Sequence, residues 1–203
     1  LHEIPPSNFE TGATSSSITE ELIRLVHETV PDKPIRYVIL SHFHGDHAGG
    51  VRAFIAEGAT VITTSETTDL LTKAARRPHR IGRDRLTGRN IDPKFLLVDG
   101  RRSITDGERL IEIIEIEGNP HAEGLLALWL PLEKFLFVAD VFHATRLERY
   151  PMPSERPLQE AFVRWLDATR LQPERIYGVH GGVGTPEHLQ KVRETMAREN
   201  QQR

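Results

Sequence analysis

Seven consecutive residues, Ser41-His42-Phe43-His44-Gly45-Asp46-His47, limit what this chain can fold into more than any other stretch. Four of them carry side chains that bind metal ions. The apolar run Ile35-Arg36-Tyr37-Val38-Ile39-Leu40 precedes them and predicts a strand covered on both faces. Ala48-Gly49-Gly50 and a helical pattern follow. A rigid strand therefore ends by presenting three imidazoles and a carboxylate on a tight turn. His42 and His44 are two apart, so an extended backbone points them the same way. Gly45 lets the chain bend, so that Asp46 and His47 face a second point a few ångströms off. Neutral imidazole and carboxylate are the ligands zinc takes, and iron and manganese accept them too. A loose histidine-rich surface loop lacks the strand before and the glycines and helix after.

The length of 203 residues suits one domain spanning 1–203, and 38% apolar residues supply a core. The 26 basic and 29 acidic residues leave a net charge of −3, which calls for neither nucleic acid nor a membrane surface. No apolar run approaches the length that spans a bilayer. Cysteine is absent, which removes disulfides and thiolate ligands. The compartment stays open between cytoplasm and periplasm.

Residues 1–16 read as loop. Ser17-Ile18-Thr19-Glu20 has capping-box spacing, and the helix after it is expected to bury Leu22, Leu25, Val26 and Val30, with Pro31 closing it. His27 reads as a surface residue. The strand 35–40, a helix carrying Val51, Phe54 and Ile55 with Gly58 as its C-cap, and a strand over 59–63 form a parallel crossover unit. Ser65 is expected to cap a helix carrying Leu70, Leu71, Ala74 and Ala75. Residues 76–93 hold six arginines (Arg76, Arg77, Arg80, Arg83, Arg85, Arg89) and His79. They read as a solvated connecting loop, with a basic lip for an anionic substrate as the sharper alternative.

From 95 onward the pattern is short strands, at 95–98, 102–105, 109–116, 125–130 and 134–138, whose spacing predicts antiparallel hairpins and meanders. The alternation slips between Ile113 and Ile114, which suggests a bulge. Residues 154–169 form an amphipathic helix with Leu158, Ala161, Phe162, Trp165 and Leu166 on one stripe. A strand at 175–179 and a helix from Thr185-Pro186-Glu187 end the chain, with His188 exposed in the first turn.

Three more ligand-type residues sit at strand ends: His121 after Gly118-Asn119-Pro120, Asp140 after Phe135–Ala139, and His180 after Ile176–Val179. Strand ends are rigid and open to loops, and active-site residues are commonly placed there. With the opening motif, they make a two-metal site.

The set His42-x-His44-x-Asp46-His47, His121, Asp140, His180 resembles the metallo-β-lactamase superfamily, from about residue 17 to the end. The resemblance implies an αββα metallo-β-lactamase-like sandwich with the metals at one edge. His42, His44 and His121 would hold one metal ion, and Asp46, His47 and His180 the other. Asp140 would bridge the two. The expected cofactor is a pair of Zn²⁺ ions, with Fe or Mn as substitutes. A metal-bridging hydroxide would then attack an ester, lactone, thioester or lactam bond of a small-molecule substrate. Asp46 would hold and pass on a proton. Asp140 stands where lactamases that use cysteine carry a thiolate, so the chain looks more like thioesterases, lactonases and related bacterial hydrolases. The usual Thr-Pro-Gly-His-Thr of the thioesterases is replaced by Gly118-Asn119-Pro120-His121-Ala122-Glu123-Gly124. His143 reads either as a supporting or surface histidine or as a proton donor and substrate contact. Arg146 and Tyr150 are lesser candidates, and 143–154 would form a flap. The alternative activity is an iron-dependent oxidoreductase of the persulfide dioxygenase type.

Members of that superfamily begin with several strands and an Asp-x-Gly turn. This sequence starts where the turn would stand, with Glu3-Ile4-Pro5 as its remnant. The first sheet is therefore expected to lack N-terminal strands. A missing N-terminal segment or a second chain would cover the 35–40 strand.

Overall fold

The computed structural model describes residues 16–78, 83–144 and 154–200. Glu3-Ile4-Pro5, His79, Arg80, Arg146, Tyr150 and most of the 143–154 flap lie outside the described residues. Backbone contacts divide the chain into two units, Leu1–Val98 and Asp99–Arg203.

The first unit runs α1 (Ser16–Thr29), β1 (Tyr37–Ile39), α2 (Gly45–Ala48), α3 (Val51–Glu57), β2 (Thr60–Thr63), α4 (Ser65–Arg76) and β3 (Lys94–Leu97). Its sheet has the order β1-β2-β3, all parallel, with Val38 opposite Val61 and Val61 opposite Phe95. The crossover through α3 is as expected, and Gly58 ends that helix in the left-handed region at φ 94°. The strand at 94–97 does not open the antiparallel meander. It pairs parallel with β2, because α4 and the loop after it are long enough for a second crossover. Val38, Leu40 and Val61 pack against Val51, Phe54 and Ile55 of α3 and Leu71 of α4. Each such side chain contributes about 1.5–3 kcal/mol of burial. β1 is the edge strand of this sheet among the described residues, yet Val38 and Ile39 are buried.

Two helix faces differ from expectation. In α1 the buried positions are Thr19 and Ile23, flanked by half-buried Leu22 and Val26, and Leu25 is exposed. Leu25 lies two residues past Ile23, about 200° round the helix. In α4 the buried stripe is Thr67, Leu71 and Ala75, so Leu70 is exposed. Thr64, not Ser65, occupies the N-cap of α4. The helix α1 starts one residue before Ser17. In the arginine-rich stretch, Arg76 pairs with Asp92, Arg85 with Glu20 and Glu57, and Arg89 reaches the Ala56 carbonyl. These guanidinium groups are engaged within the unit, as a connecting loop requires. His27 is half-buried and meets Glu57 at 2.6 Å.

The second unit runs β4 (Arg101–Thr105), β5 (Leu110–Glu115), β6 (Leu126–Leu130), β7 (Phe135–Ala139), α5 (Arg156–Thr169), β8 (Arg175–Gly178), β9 (Val183–Gly184) and α6 (Pro186–Asn200). The sheet order follows the chain, β4-β5-β6-β7-β8-β9. The first four strands form the expected antiparallel meander. β8 then joins parallel to β7, with α5 as the crossover. No bulge interrupts β5: its register is continuous on both sides. Ile113 and Ile114 are consecutive and both buried, because this strand is covered on both faces. The register shift falls instead between Phe137 and Ala139, opposite β8. Leu136, Val138, Phe142, Phe162, Leu166, Ile176, Leu189 and Val192 form the core, and Trp165 packs on it while donating from Nε1 to the Glu115 carbonyl at 2.8 Å. His188 is half-buried, and its Nδ1 accepts from the Thr185 N–H at 3.2 Å, completing the start of α6. Among the described residues no helix is long and apolar enough to cross a membrane.

Candidate metal centre

In the first unit, β1 is prolonged by the Leu40 N–H, which donates to the Ile62 carbonyl at 2.9 Å. Ser41 and His42 follow, both fully buried. His44 is extended (φ −60°, ψ 150°) and begins a single helical turn, receiving the N–H of His47 at 3.0 Å and of Ala48 at 2.7 Å. That turn swings Asp46 and His47 away from the strand direction. His42 and His44 come together, as the spacing predicts: His42 Nε2 lies 3.0 Å from His44 Nδ1. Asp46 and His47 form the second pair, with Asp46 Oδ2 3.5 Å from His47 Nε2. Behind them, Ser41 Oγ lies 3.1 Å from His42 Nδ1 and 3.3 Å from His47 Nδ1.

In the second unit, His121 stands on the β5–β6 loop. Asn119 shapes that loop: its Oδ1 accepts the His121 N–H at 3.0 Å and its Nδ2 donates to the Leu158 carbonyl on α5 at 3.2 Å. Asp140 follows β7 across a turn in which Ala139 takes φ 48°. His180 follows β8, and its side chain is half exposed. Asp140 divides its carboxylate between the two histidines. Oδ2 is 3.5 Å from His121 Nε2, and Oδ1 is 3.6 Å from His180 Nε2. His143 is 7% exposed, so it is no surface residue. Its Nδ1 lies 3.6 Å from Glu155 Oε1, and its ring centroid 6.2 Å from that of His180.

These separations fit metal ions. Two nitrogens on one tetrahedral zinc ion stand about 3.3 Å apart, given metal–nitrogen bonds near 2.05 Å. The His42–His44 gap is 3.0 Å, and facing lone pairs at that distance need a proton or cation between them. The Asp140 gaps are too long for hydrogen bonds and right for donors sharing an ion. In each of the pairs His42–His44, Asp46–His47, His121–Asp140 and Asp140–His180, one ligand atom from each residue lies within 4.8 Å of the other's. Ser41, Asn119 and Glu155 stand outside the ligand set read from the sequence. For Ser41 and Asn119 the signal is position, directly before His42 and two before His121. Glu155 gives no such signal, being twelve residues after His143.

A model of the metallo-beta-lactamase superfamily matches residues 9–180. Among solved structures, TMB-1 superposes with a TM-score of 0.67 at 17% identity, over 95% of this chain and 80% of that one. The metallo-beta-lactamase from Pontibacter korlensis gives 0.63 at 18%, over 91% and 79%. The rubredoxin oxygen:oxidoreductase from Desulfovibrio gigas gives 0.63 at 18%, over 92% of this chain and 49% of that one. At such identities the likeness is one of fold, a mixed α/β arrangement of sheets and helices. No curated protein matches the chain in sequence.

Proposed function

Since the chain belongs to the metallo-beta-lactamase superfamily, we propose that it is a hydrolase that works with two divalent metal ions, zinc in the first place. Its substrate is a small molecule with an ester, lactone, thioester or lactam bond. By the family's motif, His42, His44 and His121 would hold one ion and Asp46, His47 and His180 the other, with Asp140 shared. The observation that carries the reading is the divided Asp140 carboxylate, one oxygen toward each of two histidines. A carboxylate placed so suits a bridge between two ions, which supports the two-ion reading.

When bound, such a pair supplies an acidified water and a Lewis-acid hold on the oxygen under attack. The protein's own groups do the rest. Asp46 is half-buried at the start of α2, where its carboxylate can take a proton and hand it on. His143, buried beside His180, is the proposed donor to the leaving group. Asn119 and Ser41 hold the ligands in place.

The redox alternative, an iron oxidoreductase of the persulfide dioxygenase type, has a fold relative in the Desulfovibrio enzyme. Such an enzyme uses only the first metal, so metal content and stoichiometry tell the two apart. Metal analysis joined to hydrolysis assays on lactones, thioesters, phosphodiesters and β-lactams decides between them. The expected result is two ions per chain and turnover of one substrate class. His44→Ala should abolish it and His188→Ala should not. One iron per chain with oxygen consumption, or full metal loading with no hydrolysis, overturns the proposal.

A further inference from the structure

The Ser41 hydroxyl is fully buried and stands within hydrogen-bond distance of two imidazoles, 3.1 Å from His42 Nδ1 and 3.3 Å from His47 Nδ1. The two rings lie with centroids 4.1 Å apart and are themselves fully buried. Their far nitrogens are occupied with the ligand clusters: His42 Nε2 faces His44, and His47 Nε2 faces Asp46. We infer that Ser41 is a positioning residue whose one hydroxyl orients a ligand of each metal ion and so couples the two ions.

The chemistry follows from the tautomers. A neutral imidazole that ligates through Nε2 carries its proton on Nδ1. Both Nδ1–H groups then need an acceptor, because a buried donor without one has lost its hydration and gained nothing in return. A hydroxyl oxygen has two lone pairs and can accept from both rings at once. In the metal-free protein a different arrangement is open: His42 Nε2–H can donate to His44 Nδ1, while Ser41 donates to His42 Nδ1. Passing from the second to the first releases the His42 Nε2 proton to solvent, takes one up at Nδ1, and turns the Ser41 hydroxyl from donor to acceptor. Ser41 thus serves both protonation patterns without any movement of the backbone, and binding at either ion sets the hydroxyl for the other. The mutual effect of the ions rests on the two-ion assignment of His42 and His47 above.

The test is Co²⁺ titration of the purified protein, followed by the visible d–d spectrum and by competition with a chelator. The variants are Ser41→Ala and Ser41→Thr, with the thermal melt of each metal-free protein as a check on folding. Outer-sphere partners of ligating histidines typically contribute 10–100-fold in affinity. Ser41→Ala should weaken both ions by about that factor and reduce the coupling between the two binding steps to what the shared Asp140 supplies. Ser41→Thr, which keeps the hydroxyl, should restore affinity to within a few-fold. If Ser41→Ala binds both ions with wild-type affinity, or loses only one, the inference fails. Failure of Ser41→Thr to recover while its melt is unchanged also overturns it. Wild-type protein that binds fewer than two ions sinks the two-ion reading instead.

Discussion

Arg52 and Asp84 meet as a doubly bonded pair, Nε to Oδ2 at 2.6 Å and Nη2 to Oδ1 at 3.0 Å, with both side chains almost fully buried. The same guanidinium donates to the carbonyls of Ala74, Ala75 and Arg77, which end α4. Removing one member leaves the other buried without its counter-charge, at a cost of about 3–5 kcal/mol. Arg52→Ala should therefore lower the urea midpoint strongly. The exposed Arg101–Glu112 pair is the contrast, and Arg101→Ala should cost under about 1 kcal/mol.

Asp140→Asn keeps the shape of the side chain and removes its charge. The expected outcome is loss of at least one ion per chain, read by elemental analysis. The fall in kcat/KM should exceed the roughly 10–100-fold typical of residues that only orient ligands. Retention of both ions and of activity would show that Asp140 is no bridge.

Gly178→Ala tests the strand end that carries His180. A Cβ there would meet backbone oxygens, Phe142 O at 2.6 Å and Ala139 O at 2.9 Å. Backbone cannot swing aside as a side chain can, so β8 must part from the 139–142 turn. A loss of about 1–3 kcal/mol is expected, and metal affinity should fall with it, since Asp140 lies in that turn. Calorimetric melting with and without added metal reads both.

Glu57 supplies a pH signature in the first unit. Burial alone would raise its pKa, but hydrogen bonds from Arg85 and His27 outweigh that and hold it below the ordinary 4.5. A folded-state pKa below the unfolded one stabilises above the unfolded value and ceases to do so as pH falls through the folded one. Glu57→Gln should thus be less stable than wild type at neutral pH. The gap should begin to close below about pH 4.5 and vanish in stronger acid, as followed by thermal melts across pH.

The parts legible in the sequence were those fixed by local spacing. His42, His44, Asp46 and His47 sit within six residues, so one strand end and one turn determine their grouping. Gly58 and the meander of β4 to β7 are likewise local. What sequence hid was set at a distance. Whether Lys94–Leu97 pairs with β2 or opens a hairpin depends on a strand some thirty residues back. The two adjacent isoleucines of β5 look like a bulge until both faces of the strand are known to be covered. The two residues of β9, Val183 and Gly184, are too short for any pattern. Leu25 and Leu70 show that apolar character does not decide burial when a helix needs only one stripe.

Asn119 has a consequence beyond shaping a loop. Its carboxamide grips a ligand's backbone at one end and the Leu158 carbonyl at the other. It is therefore a tie rod between α5 and His121. Any molecule that nudges α5 pulls on the backbone of His121. Engineers who restyle that helix for solubility will shift this histidine without substituting it.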